Sequence, residues 1–540
     1  MSLTLTPQRS KKACSSCRQR KRKCDGEHPC SYCLRNEHNC EYESSRKKAK
    51  LQNSERSDSH NDASTFNDTT EVNLQLRLLE AGSPAVFVRQ LGLKINPTQA
   101  PRLNCYAWNL GLRIETACLQ SSCLTEILTV TQMRMMATEF FLHVAPVYNF
   151  LDREYVESAI MKRWQIQSIS DSLDSMLGGI AALACLFGGR STALELQIVQ
   201  TTRSALEYSS SLPCPDLDHV IGWLLRVIYL RATSSPHATW MASCTLMHMI
   251  ETIKLHLEPS ENSILAQSPS LCAPDLRRRI YWVAQLFNIW VSSDYGKSRV
   301  ELHGASSELP GQTWTKEQQN LCYLSYSLAQ KDNLEPRKVE ENIAELGALQ
   351  VTQPMLRLLQ CNIGLCFFRR ARALGQNLSD QSLRSILGMA ENSLQVVKDL
   401  SESLCPWWHI INIPFQIVCV LLVINDDSAF CLLAEALDTL KIIVSQYKTE
   451  MVRESYYIAC FLVSQERQRR LKKLELMANA LNGHQALFPT RTTFDALKDT
   501  AHSLDEPGTP EATYLDNLDL NIPLLADYFL LDSLFYEPAT

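Results

Sequence analysis

Six cysteines near the N-terminus constrain this chain more than any other feature. They follow the spacing C-x2-C-x6-C-x5-C-x2-C-x6-C and are Cys14, Cys17, Cys24, Cys30, Cys33 and Cys40. Thiolates in such pairs favour Zn²⁺, which takes four tetrahedral ligands in structural sites. Two such sites need eight ligand positions, which six cysteines supply only if two of them bridge both ions. The spacing therefore predicts a small domain folded around a binuclear zinc cluster, with the metal providing the folding free energy.

A disulfide framework in a secreted domain is the competing interpretation of six close cysteines. Residues 1–10 contain no apolar stretch, so we expect no secretory signal peptide. The other fourteen cysteines are scattered from Cys105 to Cys460, mostly in apolar surroundings. That distribution is typical of reduced, buried, intracellular thiols, and it favours zinc over disulfides.

Positive charge is concentrated beside these cysteines. The segment Arg18–Lys23 carries five positive charges in six residues, whereas its counterpart Leu34–Asn39 is nearly neutral. Residues 1–50 have a net charge of +8 and residues 51–540 a net charge of −13. A basic arm of this kind is typical of nucleic-acid binding, although a merely solvated basic face is the alternative. The clusters Lys11–Lys12, Arg18–Lys23 and Arg46–Lys50 also fit nuclear localisation signals, so we expect a nuclear protein.

Residues 11–43, KKACSSCRQRKRKCDGEHPCSYCLRNEHNCEYE, resemble the fungal Zn2Cys6 binuclear-cluster domain, including Asp25-Gly26 and Pro29. The resemblance implies that Cys14 and Cys30 bridge two zinc ions. It further implies that Cys17 and Cys24 complete one zinc site and that Cys33 and Cys40 complete the other. Members of this family place the first short helix in the major groove of double-stranded DNA.

The same resemblance implies a role for each basic residue of the first helix. The family reads a CGG-type triplet, and carrying its pattern over assigns base reading to Arg20 and Lys21. Arg18 and Lys23 would mainly contact phosphate, and Arg22 belongs to the same DNA-binding set. Since each neutralised phosphate releases counterions, we expect binding to weaken steeply with salt.

Residues 44–70 are predicted to be a flexible linker because they are rich in Ser, Asn and Asp and contain only two large apolar residues. Many relatives continue with a dimerising coiled coil. Here only the short patch Val72–Leu79 has apolar residues, and their spacing is mixed. Three or four sustained heptads are missing, so any homodimer is expected to form without a clear coiled coil.

Residues 71–498 are predicted to form a large all-helical regulatory region of one or two domains. Glycine is scarce, at 18 of 540 residues, and two apolar stripes recur at helical spacing within 383–397 and 433–447. The most apolar stretch, 410–424, is too short to span a bilayer and contains Asn412, Pro414 and Gln416, so we expect a buried helix and no membrane element.

This region also resembles the middle homology region found downstream of many Zn2Cys6 domains. The similarity lies in 140–155, FFLHVAPVYNFLDREY, and in 276–310, which begins LRRRIYWVAQLFNIW and closes with Glu308-Leu309-Pro310. The chain departs from the usual pattern at Asn288, where Asp is common, and at Gly296-Lys297-Ser298, where Gly-Arg-Pro is usual. The resemblance implies regulation, by a metabolite or a protein, without chemistry.

No constellation of catalytic residues emerges from the sequence. Gly296-Lys297-Ser298 resembles the end of a phosphate-binding loop, but position 291 is Val, so the first glycine of that loop is missing. No metalloprotease pair or serine elbow is found. His143 and His409 have aromatic neighbours and are predicted to be hydrogen-bonded core residues. We therefore expect that the protein is not an enzyme.

Residues 499–540 contain nine acidic residues and no Lys or Arg, interleaved with leucine and aromatic residues. This composition predicts a disordered acidic–hydrophobic activation segment that binds a coactivator. The alternative is a final helix, 523–536, docked on the body, because Leu524, Tyr528 and Leu531 share a face.

The sequence as a whole predicts a mainly α protein with a zinc-cluster domain at 11–43, a linker at 44–70, a helical region at 71–498 and an acidic tail. The function predicted is a zinc-dependent, sequence-specific regulator of RNA polymerase II genes, acting as an activator. Its targets would be a specialised metabolite gene cluster or, alternatively, genes of nutrient and carbon use or development. The alternative class of function is a zinc-binding scaffold protein that has no role in transcription. Such a protein would not need the basic helix.

Overall fold

The computed structural model describes short parts of the N-terminal segment and most of the region between residues 83 and 482. The described residues are 13–14, 16–17, 22, 24–25, 30–36, 40, 83–100, 107–113, 123–166, 172–189, 192–209, 215–258, 273–311, 313–329 and 335–482. The chain divides into two units, Met1–Asp68 and Thr69–Thr540. The described residues form helices and no strand, which confirms the mainly α prediction. The predicted linker, the Val72–Leu79 patch and the acidic tail lie outside them, so the predicted domain limits stay predictions.

The first unit is organised around its cysteines. All six are buried, and only Ala13 and Tyr32 are partly buried apolar neighbours packed against them in the described part. Helix α1, Ser31–Arg35, begins at Cys30, whose side chain accepts a hydrogen bond from the Cys33 amide. The described residues of this unit therefore bury little apolar surface apart from the cysteines, as expected for a domain that depends on metal.

The described part of the second unit is an array of helices in which neighbours along the chain mostly pack together. The helices are α2 Pro84–Ile95, α3 Leu124–Ile127, α4 Val130–His143, α5 Ala145–Tyr148, α6 Arg153–Gln165, α7 Leu173–Phe187, α8 Thr192–Ser209, α9 Leu217–Thr233, α10 Pro236–Thr252, α11 Pro274–Tyr295, α12 Lys316–Ser327, α13 Pro336–Ala348, α14 Pro354–Ala373, α15 Asp380–Glu402, α16 His409–Ile424, α17 Asp427–Tyr447 and α18 Glu450–Asn482.

One continuous apolar core runs through this unit, from Phe87 in α2 to Leu462 in α18. Helices α7 and α16 are buried on nearly every side, as expected of helices that are apolar all round. The prediction of a buried helix at 410–424 is confirmed by α16. The buried apolar residues of the described part thus form one cluster, whereas the number of domains within 71–498 stays a prediction.

The two predicted apolar stripes are also confirmed. In α15 the buried positions include Ile386, Ala390, Leu394 and Val397. The corresponding stripe of α17 buries Ala436, Leu440, Ile443 and Tyr447. Both helices begin at side-chain caps, because Ser379 accepts from the Ser382 amide and Asp426 from the Ser428 and Ala429 amides. Among the described residues, no helix has the length and apolar character needed to cross a bilayer.

Glycine brings α7 and α9 into unusually close contact. A Cβ atom added at Gly179 would lie 2.7 Å from the Cβ of Leu225, and one at Gly222 would lie 2.8 Å from the carbonyl carbon of Ser175. Larger residues at these positions would push the helices apart. Another glycine, Gly188, is the C-cap residue at which α7 ends.

Candidate metal centre and nucleic-acid interface

The six cysteine side chains form two overlapping groups of four. One group contains Cys14, Cys17, Cys24 and Cys30, and the other contains Cys14, Cys30, Cys33 and Cys40, with the sulfur atoms of each group within 4.8 Å of one another. Cys14 and Cys30 are the members common to both groups. Six cysteines in two tetrads that share two sulfurs are arranged to bind two zinc ions.

The distances between sulfur atoms suit tetrahedral zinc. The Sγ atoms of Cys14 and Cys30 are 3.8 Å apart, those of Cys14 and Cys33 3.6 Å, and those of Cys17 and Cys30 3.6 Å. Tetrahedral Zn–S bonds of about 2.3 Å place sulfurs about 3.8 Å apart. Four thiolates around each ion leave no position for water or substrate, so the centre would be structural rather than catalytic.

Backbone amides stabilise negative charge on the two shared sulfurs. The Cys17 amide donates to Cys14 Sγ at 3.4 Å, and the Cys33 amide donates to Cys30 Sγ at 3.5 Å. These amide hydrogen bonds lower the pKa of the Cys14 and Cys30 thiols. Burial instead raises the pKa of the Cys33 thiol to about 12. The thiols common to both tetrads are thus the ones whose surroundings favour the thiolate.

Asp25, which follows the third cysteine, contacts the first residue of α1. Its carboxylate accepts hydrogen bonds from the Ser31 amide, at 2.8 Å, and from the Ser31 hydroxyl. Because Ser31 is the first residue of α1, this contact also places a carboxylate at the N-terminal end of that helix, where negative charge is favourable. Asp25 thereby links the end of the first cysteine-rich half, at Cys24, to the first residue of the helix in the second half.

Of the predicted DNA-binding residues, only Arg22 lies in the described part of the chain. Its side chain is exposed, and its amide donates to the Cys17 carbonyl at 2.9 Å. The positions of Arg18, Arg20, Lys21 and Lys23 lie outside the described residues. The cysteines that flank this basic segment, Cys17 and Cys24, belong to the same tetrad. One zinc ion would therefore hold both ends of the segment.

The helical body contains a buried charge cluster that sequence reasoning missed. Arg231 lies 3.7 Å from the ring centre of Trp108 and 4.5 Å from that of Trp408, and donates to Asp294 Oδ2 at 3.1 Å. Arg369 Nη2 lies 3.9 Å from Asp294 Oδ1. Burial lowers the pKa of Arg231 to about 10, and the carboxylate of Asp294 opposes that effect. One carboxylate thus counters two buried guanidinium groups.

The sequence predicts that His143 and His409 are hydrogen-bonded core residues, and each differs from that prediction in one respect. His409 is buried and stacks on Trp408 with ring centres 4.0 Å apart, but neither ring nitrogen has a hydrogen-bond partner among the described residues. Burial lowers its pKa to about 3, so the ring is neutral. His143 is 40% exposed at its side chain and lies 3.5 Å from Glu139, so its assignment to the core is wrong.

The two segments that resemble the middle homology region contact each other. Arg279 of the second segment donates to both carboxylate oxygens of Asp152 in the first, at 2.9 and 2.8 Å. Asn288 donates to the Val300 carbonyl at 2.8 Å and accepts from the Val300 amide at 3.2 Å. An amide side chain can make both bonds, whereas an ionised carboxylate can only accept. The two contacts with Val300 therefore suit the Asn at position 288 better than the Asp that is common there in the family.

Comparison with protein families agrees with both parts of the chain. Residues 12–49 match the fungal Zn(2)-Cys(6) binuclear cluster domain, and residues 137–333 match the fungal specific transcription factor domain. The second match encloses both segments that resemble the middle homology region. These matches define a zinc-dependent, DNA-binding class of transcription regulator.

Whole-chain relatives narrow this class to a family. "Protein RDR1" of Gibberella zeae is 33% identical over 515 residues, which cover 92% of this chain and 94% of the relative. "Transcription factor kojR" of Aspergillus oryzae is 33% identical over 88% of this chain and 87% of the relative. "Protein RDR1" of Saccharomyces cerevisiae is 27% identical over 92% and 97%. The chain belongs to the fungal Zn2Cys6 transcription factors with a middle homology region.

Proposed function

We propose that this protein acts in the nucleus as an activator of RNA polymerase II genes and recognises CGG-type sites in double-stranded DNA. The observation that carries the proposal is the position of the basic segment between two ligands of one tetrad, Cys17 and Cys24. A segment of six residues whose two flanking cysteines bind one ion would be constrained at both ends. Its five cations can then meet phosphates and base edges in one fixed register.

The proposed metal ligands are the six buried cysteines. Cys14 and Cys30 bridge both zinc ions, while Cys17 and Cys24 serve one ion and Cys33 and Cys40 the other. The presence of Cys14 and Cys30 in both tetrads supports this division, because only a sulfur that belongs to both groups can bind both cations.

The proposed DNA contacts divide into base reading and positioning. Arg20 and Lys21 read the guanines, since Arg and Lys side chains donate to guanine O6 and N7. Arg18 and Lys23 contact phosphate. Arg22 is exposed and belongs to the same surface. Base contacts determine which sequence is bound, and phosphate contacts set affinity and its dependence on salt.

Fluorescence anisotropy with the full chain tests this assignment. Lys21→Ala should reduce the preference for a CGG duplex over a scrambled duplex by roughly 1–3 kcal/mol, and Lys23→Ala should weaken both duplexes equally and lower the salt slope by about 1. Arg35→Ala, an exposed cation of α1 in the second half, is the matched control and should change neither quantity. Unchanged sequence preference in Lys21→Ala would refute base reading by that residue.

The output of the protein is proposed to come from residues 499–540, through binding of a coactivator. The support is compositional, because nine acidic residues alternate with apolar ones and no cation is present. The helical body would regulate this output without catalysis, as expected in a transcription-factor family. Fusing 499–540 to an unrelated DNA-binding domain should activate a reporter, and an inert fusion would contradict the proposal.

The proposed targets are genes of a specialised metabolite cluster, with genes of nutrient and carbon use or development as the alternative. Mapping the chromatin occupied by the protein in its native cell distinguishes the two. The spacing of occupied CGG triplets would also show whether a homodimer binds. Paired triplets at one fixed spacing indicate a dimer, and single triplets indicate a monomer.

A further inference from the structure

The C-terminal half of α18 carries large apolar side chains that no described part of the chain covers. The earlier turns of this helix bury Val452, Ile458 and Leu462 in the body. From Arg467 onward no described side chain of the helix is buried. Five of the fourteen exposed large apolar side chains in the described structure fall within these last turns, at Leu471, Leu474, Leu476, Met477 and Leu481, with exposed fractions of 48–64%.

Most of these residues share one side of the helix. Leu471, Leu474, Ala478 and Leu481 follow one another at intervals of three, four and three residues, which places them on one face. Single exposed leucines are common on protein surfaces, whereas a stripe at helical spacing is an interaction face. Leu476 is as exposed as Leu474, at 62% against 61%, but lies about 160° away from it around the helix.

The surroundings of this stripe are strongly basic. Residues 467–481 contain five cations and one acid, Glu475. Arg469 and Arg470 pair with Glu466, whereas Arg467, Lys472 and Lys473 have no ion pair within the described residues. The stripe spans only about two heptads, fewer than a stable coiled coil needs. Two copies would also bring like charges together, so the partner should be acidic.

The acidic tail of the same chain has the required chemistry. Residues 499–540 carry nine acids and no cation, and Leu524, Tyr528 and Leu531 recur at helical spacing. Sixteen residues, 483–498, separate the tail from the end of α18. If these residues behave as an unstructured tether, they span about 22 Å, compared with about 15 Å for the stripe. A tail tethered in this way would reach the stripe at an effective concentration of about 1 mM.

We propose that residues 499–540 dock within the same molecule on the stripe formed by Leu471, Leu474, Ala478 and Leu481, with the neighbouring cations facing the acids of the tail. The apolar residues that would bind a coactivator are then occupied by α18. Docking would hold the regulator in an inactive form until a coactivator or another ligand displaces the tail. This consequence rests on the proposed activation function, whereas the docking itself does not.

Hydrogen exchange in the full chain tests the docking. An affinity of about 0.1 mM at an effective concentration of about 1 mM would slow amide exchange in 471–481 about tenfold. A chain that ends at Lys498 should lose this protection, and so should Leu474→Ser. Leu476→Ser, which removes an equally exposed leucine from the other side, is the matched control and should keep it.

Equal exchange in the full and shortened chains would overturn the proposal. Protection that rises with protein concentration would assign the stripe to a second copy, and protection that appears only with added duplex DNA would assign it to nucleic acid. Either result overturns docking of the tail. Reporter activity is a separate measurement, so a failed activation test would leave the exchange result standing.

Charge reversal tests the electrostatic part. Replacing Lys472 and Lys473 with Glu should reduce the protection several-fold, and adding Asp527→Lys and Asp532→Lys should restore part of it. Because surface ion pairs are screened by salt, the protection of the original chain should also fall between low and high ionic strength. Protection that is unaffected by the two reversals in α18 would refute the role of charge.

Discussion

Asp294 is the residue on which we expect the stability of the helical body to depend most sharply. Its carboxylate faces Arg231 at 3.1 Å and Arg369 at 3.9 Å, and all three side chains are at most 3% exposed. Asp294→Asn preserves the shape of the side chain but removes its charge. Two buried guanidinium groups would then lose the carboxylate that faces them. Breaking a buried pair in this way costs about 3–5 kcal/mol of unfolding free energy.

The matched control is the exposed pair between Arg134 and Glu157, whose side chains are 47% and 48% exposed. Glu157→Gln should cost only about 0.2–1 kcal/mol, since water already screens that pair. A body of about 400 residues has an unfolding entropy of roughly 0.8 kcal/mol/K, so Asp294→Asn should lower Tm by about 4–6 °C and Glu157→Gln by about 1 °C or less.

Thermal unfolding followed by helical circular dichroism measures both shifts in the full chain. Equal Tm shifts in the two variants would refute the reasoning, because burial would then make no difference. Adding Arg231→Met to Asp294→Asn should recover part of the loss, since methionine keeps an apolar stem between Trp108 and Trp408 without a buried charge. A double variant less stable than Asp294→Asn would show that Arg231 stabilises the core mainly through contacts other than its pair with Asp294, such as its hydrogen bond to the Trp108 carbonyl.

The pKa of Arg231 sets the pH range in which the Asp294 effect should be constant. Its folded-state pKa, about 10, is below the ordinary value because of burial, so the folded state disfavours the charged form. For a base with a lowered pKa, that cost is fully present below the folded pKa and disappears as the pH rises toward the unfolded value. Arg231 is therefore charged in both states near neutrality, and the Tm difference should not change between pH 6 and 8.

The remaining predictions concern helix packing and metal. Gly222→Ala should lower Tm by about 2–3 °C, because its Cβ would meet the Ser175 backbone, whereas Gly388→Ala should raise Tm by about 1 °C, because nothing lies within 4 Å and alanine favours the helix. Shifts of the same sign would refute the close contact of α7 and α9. Metal analysis should find about two zinc ions per chain, nearly none in Cys14→Ala, and about one in Cys40→Ala, because Cys14 belongs to both tetrads whereas Cys40 belongs to one. One zinc ion in the unaltered chain would contradict a shared cluster.

The metal centre could be predicted from the sequence because all of its ligands lie close together in the chain. All six cysteines fall within 27 residues, and ligand spacing restricts how such a short chain can surround zinc. The prediction that two cysteines must bridge followed from counting ligand positions. The structure adds why Cys14 and Cys30 suit that role, since each accepts a backbone amide from three residues further on.

For the helical body, the sequence predicts the fold class but not the packing of its helices. Apolar stripes and scarce glycine indicate helices, but not which helices meet. Asp294 and Arg231 are 63 residues apart in the chain, and no local pattern links an acid to a base at that distance. The incorrect assignment of His143 has the same origin. Aromatic neighbours in sequence suggested a core position, whereas the end of α4 leaves its side chain at the surface beside Glu139.

The two units rely on different sources of folding free energy, and this difference separates their responses to perturbation. The cluster buries six cysteines with few apolar neighbours in its described part, so its stability depends on metal. The described part of the body buries a continuous apolar core of its own. Chelation of zinc should therefore abolish DNA binding without changing the Tm of the body, and Asp294→Asn should lower that Tm without changing the zinc content. A loss of helical circular dichroism that parallels zinc removal would show that the body depends on the cluster.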